Sequence, residues 1–243
     1  MIHLLTTLVV LVLGAGPAKE PTGREVLDRV RAATSAQDRK ATAQMKVTDR
    51  NGRVSSRTMR MVMKGDERMM MTFSSPADLA GVTFLTTSTE NMWIYLPAQA
   101  RVRRISGSMA NQGFGGSDFS YKEMANISLA DESSVLALRD TAIGGADAYL
   151  LDLEDKDKSK SRLWVEKARF LPLALEQLGP DGKVTKRVVF GEFARHGEAW
   201  IPCAIEMHDL ARGSKTELRL SNLALNTGVR DNFFVEANMK KGA

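Results

Sequence analysis

Three histidines, one cysteine and a glycine-rich run ending in Ser-Asp are the parts of this 243-residue chain that could carry chemistry. His3, His196, His208 and Cys203 have separations that match no zinc pattern, which calls for closely spaced ligand pairs. Gly113, Gly115 and Gly116 look like the start of a dinucleotide loop, but position 118 is Asp, and no Lys-Ser or Lys-Thr ending completes a phosphate loop. Ser117 lies in Gly115-Gly116-Ser117-Asp118-Phe119, which is not the Gly-x-Ser-x-Gly elbow of hydrolases. Asp118 has no identifiable partner base, so its simpler reading is a tie that bonds the backbone amides of its own loop. The residues therefore designate no catalytic group, no metal ligand and no cofactor, and the expected class is non-enzymatic. A hydrolase is the weakest reading.

The glycine run belongs to a longer stretch, Asn91 to Tyr121, around which the chain is organised. Met92, Trp93, Ile94, Tyr95 and Leu96 are apolar at successive positions, as a strand tolerates when both its faces are covered. Pro97 ends it. Arg101, Arg103 and Arg104 alternate with Val102 and Ile105, apart from Arg104, and predict a short strand with a basic rim. Beyond it, Gly107, Gly113, Gly115 and Gly116 permit positive φ, and the segment is expected to form a mobile flap tipped with Phe114, Phe119 and Tyr121.

Upstream, Thr22 followed by Glu25 caps an amphipathic helix carrying Val26, Leu27, Val30 and Ala33. From Ala41 the period changes to two, and turns at Asn51-Gly52 and Gly65-Asp66 predict consecutive hairpins. Met59, Met61 and Met63 share one face of the second hairpin; Met69, Met71 and Phe73 share a face of its partner strand. Ten of the thirteen methionines fall between positions 45 and 124, a local enrichment that suits either an ordinary core or a wall that adapts to varied apolar ligands. Downstream, tight turns at Gly144-Gly145 and Gly179-Pro180-Asp181-Gly182 divide further strands, so one antiparallel sheet is expected rather than a parallel α/β fold. The alternating-charge segment Asp155 to Ser161 reads as a solvated hairpin tip. Cys203, between Ile201 and Ile205, reads as a small core residue.

Three blocks in this order and spacing, Trp93-Ile94-Tyr95-Leu96-Pro97, Arg101-Val102-Arg103-Arg104-Ile105 and Gly116-Ser117-Asp118-Phe119-Ser120-Tyr121, resemble the outer-membrane lipoprotein-sorting proteins, the LolA-like family of bacterial envelopes. Phe73, Pro76, Gly81, Phe84 and Leu85 fit the upstream part of the pattern. Trp164-Val165-Glu166-Lys167, Pro172 and Trp200-Ile201-Pro202 fit it more loosely. The resemblance implies a half-open antiparallel β-barrel, mainly β with an N-terminal helix, in which the flap covers a cavity that binds acyl chains in the periplasm. About 10 to 11 strands are expected. It places Met59, Met61, Met63, Met69, Met71, Phe73, Phe84, Trp93 and Tyr95 on the cavity wall. Arg101, Arg103, Arg104, Phe114, Gly115, Gly116, Asp118, Phe119 and Tyr121 fall on the flap and rim.

Residues 4 to 13 are apolar, too short a run to span a bilayer, and Gly16 and Ala18 supply small residues before a cleavage site. Residues 1–18 are accordingly expected to be a signal peptide and residues 19–243 a single periplasmic domain. Its expected partners are lipoprotein or lipid acyl chains, an inner-membrane transporter, an outer-membrane acceptor and, transiently, a membrane surface. Nucleic acid is excluded because, apart from the arginine rim, the cations are scattered among acids and net charge is only +5. The rival expectation is a protein-binding accessory of a transporter with the same fold and no lipid.

Overall fold

A computed structural model describes residues 19–126 and 133–243; the expected signal peptide and the stretch 127–130 of the polar segment after the flap lie outside the described residues. Helix α1 (Gly23–Thr34) opens with the capping box expected from Thr22 and Glu25, the Glu25 carboxylate accepting from the Thr22 amide at 2.6 Å. Val26 and Val30 are buried on its inner stripe.

Strands β1 (Asp38–Thr48), β2 (Val54–Lys64), β3 (Arg68–Ser75), β4 (Thr83–Ser88), β5 (Asn91–Leu96) and β6 (Arg101–Ile105) form one meander. Strands β7 (Ser134–Ile143), β8 (Ala146–Glu154), β9 (Lys160–Glu166), β10 (Pro172–Leu178), β11 (Val184–His196), β12 (Ala199–Asp209) and β13 (Ser214–Leu225) form a second. Antiparallel pairing of β1 with β13, from Arg39 opposite Leu225 to Thr48 opposite Lys215, fuses them into a single sheet of 13 strands. The fold is thus the expected half-open antiparallel barrel, with 13 strands rather than the 10 to 11 anticipated. Its two free edges are β6 and β7.

Strand alternation sorts the apolar residues onto two faces. On the concave face a continuous cluster includes Met45, Met61, Met71, Phe84 and Ile94, and reaches Val188, Ile205 and Leu218. There α1 packs Val26 and Val30 on Leu151, Leu153, Leu163 and Val165. On the convex face of β2 to β6, Val62, Met70 and Leu85 are covered by a C-terminal strap through Val229, Phe234 and Met239, with Trp93 and Tyr95 packed alongside. The other two tryptophans also point away from the concave side: Trp164 is the neighbour of inward-facing Leu163 and Val165, and Trp200 stacks under Arg169 and Arg195 at 5.0 and 5.7 Å.

The strap is fastened where it leaves β13. The buried Asp38 carboxylate accepts from the amides of Thr227, Gly228 and Val229 at 2.8–3.1 Å and from the Thr227 hydroxyl at 2.9 Å. Burial alone would raise the Asp38 pKa, but these donors together outweigh it and hold the carboxyl below its ordinary range. Asp38→Ala is therefore expected to lower stability to urea by about 3 kcal/mol, because each lost hydrogen bond to a charged group contributes about 1.5–3 kcal/mol and solvent compensates in part. Asp38→Asn should recover part of the loss.

Candidate functional site

The segment from β6 to β7 joins the two free edges of the sheet, and so it crosses the concave face. It does so as two 3₁₀ turns, Gly107–Asn111 and Phe114–Gly116, followed by the short helix α2 (Tyr121–Ala125). Gly115 has φ +55°, and a Cβ there would come within 2.7 Å of the Phe73 ring, so glycine is required both for conformation and for contact. The Gly115 carbonyl accepts from Arg57 Nε at 2.5 Å, and Phe114 N donates to Phe119 O at 2.7 Å. This is the flap expected from the sequence, but its rings point inward. Phe114, only 1% exposed, lies 5.4 Å from the rings of both Phe73 and Phe84 and 5.6 Å from Tyr121.

Two polar ties hold the flap down. Asp118 accepts from Ser214 Oγ at 2.5 Å and Thr216 Oγ1 at 2.8 Å, both on β13. It is a tie, as the simpler reading had it, but to side chains of a remote strand rather than to amides of its own loop. Its carbonyl accepts from Lys186 Nζ at 2.8 Å, and the same ammonium donates to both carboxylate oxygens of Glu123 at 2.8 and 2.9 Å. Glu123 also completes the α2 capping box, accepting from the Ser120 amide at 2.6 Å, and accepts from Gln177 Nε2 at 2.7 Å. Burial pushes its pKa up, whereas Lys186, the Ser120 amide and Gln177 pull it down by more, so the net shift is downward.

Between the flap and α1 a cavity of about 320 Å³ remains. Its floor is Leu153, Leu163, Leu175, Val188, Ile205 and Met207, and Leu27 and Phe119 close it from α1 and the flap. One end is polar, bounded by Lys122, Glu123, Asn126, Asp157, Lys160 and Gln177. Lys122 Nζ donates to Asp157 at 2.6 Å, which joins α2 to the β8–β9 hairpin tip. That contact, with the Ser159 donors, lowers the Asp157 pKa.

The methionine stripes are cross-strand neighbours as expected, Met61 opposite Met71 and Met63 opposite Met69. With Met59, Phe73 and Phe84 they form a concave wall, but flap rings and Met124 cover it. Trp93 and Tyr95 do not belong to this wall: alternation along β5 sends Met92 and Ile94 inward and these two outward, under the strap. Arg104 and Val102 share that outward face, opposite Trp93 and Tyr95, while Arg101 and Arg103 lie on the side of Ile105. Val102 packs with Trp93 and Tyr95 in the outward apolar cluster, so Arg104 is the residue that breaks the alternation, as expected. The 155–161 tip is the exposed hairpin turn expected, and Asp155, Asp157, Ser159, Lys160 and Ser161 also border the cavity. Of the expected wall and flap residues, only Phe119 lines it.

The cavity floor was missed, although its signal is present as period-two apolar pairs, Val188 with Phe190 and Ile205 with Met207. His196, Cys203 and His208 stay apart: Cys203 and His208 are five residues apart on β12, about 17 Å at 3.3 Å per residue. Cys203 is half-buried, and His208 is bonded to Glu206. Among the described residues no group of acidic, histidine or cysteine side chains is arranged to hold a metal ion.

A curved antiparallel sheet holding a helix and a crossing flap over an apolar cavity defines the class of half-open, LolA-like barrels. A family profile described as an uncharacterized protein matches residues 65–241. A DUF1329 family protein from Desulfovibrio piger superposes with a TM-score of 0.83 at 26% identity, over 89% of this chain and 97% of that one. A putative outer membrane lipoprotein-sorting protein domain from Vibrio parahaemolyticus gives 0.79 at 28% identity, over 89% and 96%. A LolA superfamily protein from Nitrosomonas europaea shares the fold at 0.74 and 20% identity, over 90% and 99%. No curated protein matches the sequence. The chain belongs to the family of that profile, and it shares the fold of the LolA-like, outer-membrane lipoprotein-sorting proteins.

The Glu123 clasp has a definite pH dependence. Its folded pKa lies below the ordinary 4.5, so its contribution is complete above about pH 4.5 and is lost as pH falls through the lowered folded value. Amide exchange of residues 113–125 should accelerate on that descent in the native chain. In Glu123→Gln it should already be faster at neutral pH and show no further step. Lys186→Met, which strands a largely buried carboxylate, is expected to cost about 2 kcal/mol in urea unfolding.

Proposed function

We propose that the protein is a non-catalytic periplasmic carrier that takes up acyl chains of lipidated cargo and delivers them to an acceptor. The observation that carries this reading is the cavity between α1 and the flap, apolar along its floor and polar at one end, the division an amphiphile presents. Burial of each methylene contributes about 0.8 kcal/mol, so part of one acyl chain supplies several kcal/mol. Release then requires an acceptor that binds the chain more tightly. The export signal expected in residues 1–18 and the sorting-domain relative support the location and the cargo class. Arg101, Arg103 and Arg104, exposed on edge strand β6, offer cations to lipid headgroups or to an acidic face of a transporter.

A second reading has its own observation. The rings of Phe114 and Tyr121 are packed on the methionine wall, as they would be in a protein-binding accessory of a transporter that carries no lipid.

Ligand binding separates the two. Protein purified from the periplasm should carry lipid detectable by mass spectrometry. After delipidation it should bind a naphthylamine dye at one site, displaced by fatty acid. Leu175→Asp puts an unpaired charge on the cavity floor and should weaken dye binding by at least about fivefold, on the order of 1–3 kcal/mol. Val189→Asp, exposed on the convex face, should leave it unchanged. A native protein that binds neither dye nor lipid belongs to the accessory class.

A further inference from the structure

Resting on the acyl-chain reading above, we propose that the site accepts one straight alkyl chain at a time, so that its ligand class is the single-tailed amphiphile, a fatty acid or lysophospholipid, and a multiply acylated lipid is held by one tail only. The concave face is large enough for more, but half of it is already in use. Phe114, Tyr121 and Met124 lie on Met61, Met71 and Phe84, and each is at most 9% exposed.

That cover is fastened at several independent points: Asp118 to Ser214 and Thr216, Glu123 to Lys186, and the Gly115 carbonyl to Arg57. A ligand that needed the methionine half would have to break all of them together. What remains is small. Its volume of about 320 Å³ stands at the small end of ligand cavities, which run from about 300 to 1,000 Å³.

Its length follows from β11, along which Thr185, Val188 and Phe190 line it. Five residue steps at about 3.3 Å give roughly 17 Å. An extended alkyl chain advances about 1.3 Å per carbon, given C–C bonds of about 1.5 Å, so roughly a dozen carbons fill the slot. The polar groups stand at the Thr185 end, where Gln177, Glu123 and Lys122 would meet a head group, and the apolar floor runs from there toward Phe190.

The test is a chain-length series of lysophosphatidylcholines and of fatty acids, measured by displacement of the naphthylamine dye from the delipidated protein. Each added methylene should tighten binding about fourfold up to roughly 12 carbons and add little beyond. The two series distinguish the head groups and should break at the same length. A triacylated lipopeptide with tails of matched length should bind no more than about tenfold tighter than the lysolipid, because two further buried chains would add far more. Leu27→Trp, which fills the slot from the half-buried face of α1, should move the break to shorter chains. Leu175→Trp, from the opposite wall, is the second variant should the first fail to fold.

Affinity that keeps rising past 16 carbons at about fourfold per methylene, or a lipopeptide advantage beyond about tenfold, overturns the single-chain inference while leaving the carrier reading intact. Absence of binding by dye and by every amphiphile overturns both.

Discussion

Everything in this molecule follows from the pairing of β1 with β13. It joins residues nearly the whole domain apart, Arg39 with Leu225, and it closes the centre of the sheet rather than its rim. The two meanders are thereby fused back to back, and β6 and β7 become the outer edges. The chain must still travel from one edge to the other, and the concave side is the route it takes. The flap is therefore a topological necessity before it is a functional device, and the cavity is whatever space that crossing leaves beside α1.

The crossing segment could have lain loosely over the mouth. Instead it divides the concave face into a dry half and a half that keeps a cavity. In the dry half, aromatic rings at 5.4–5.6 Å and flexible methionines conform to one another, the adaptable packing for which methionine is suited. The boundary is drawn by polar groups: Asp118 reaches β13, and Glu123 meets Lys186 of β11. Partly buried ion pairs gain little net stability but strongly disfavour arrangements that leave one member alone. Their effect here is to fix where the flap sits.

Local elements were legible in the sequence. The Thr22 and Glu25 cap, the turns at Gly52 and Gly65, and the facing methionine stripes were read from spacing and appear as expected. Faces were harder. β5 is apolar at every position but its first, so nothing in its composition says that Met92 and Ile94 turn inward while Trp93 and Tyr95 turn outward; the strap, supplied by residues 226–243, decides it. The cavity itself was not legible, because its walls come from α1, the flap and β8 to β12, elements brought together by the remote β1–β13 register. The charged tip at 155–161 is the exposed hairpin turn expected, but its bond to Lys122 was not legible, because that partner lies across the crossover.

The placement of the three tryptophans bears on how the molecule can be observed. Trp93 is under the strap, Trp164 is on the outer side of β9, and Trp200 is in contact with the guanidinium groups of Arg169 and Arg195. Indole emission is thus a reporter of the back of the sheet, with no chromophore of this kind facing the cavity. A ligand that merely fills the slot would be spectroscopically silent, and a change in intrinsic fluorescence on loading would mean that the sheet had altered its curvature and passed the strain through its full thickness to the far face.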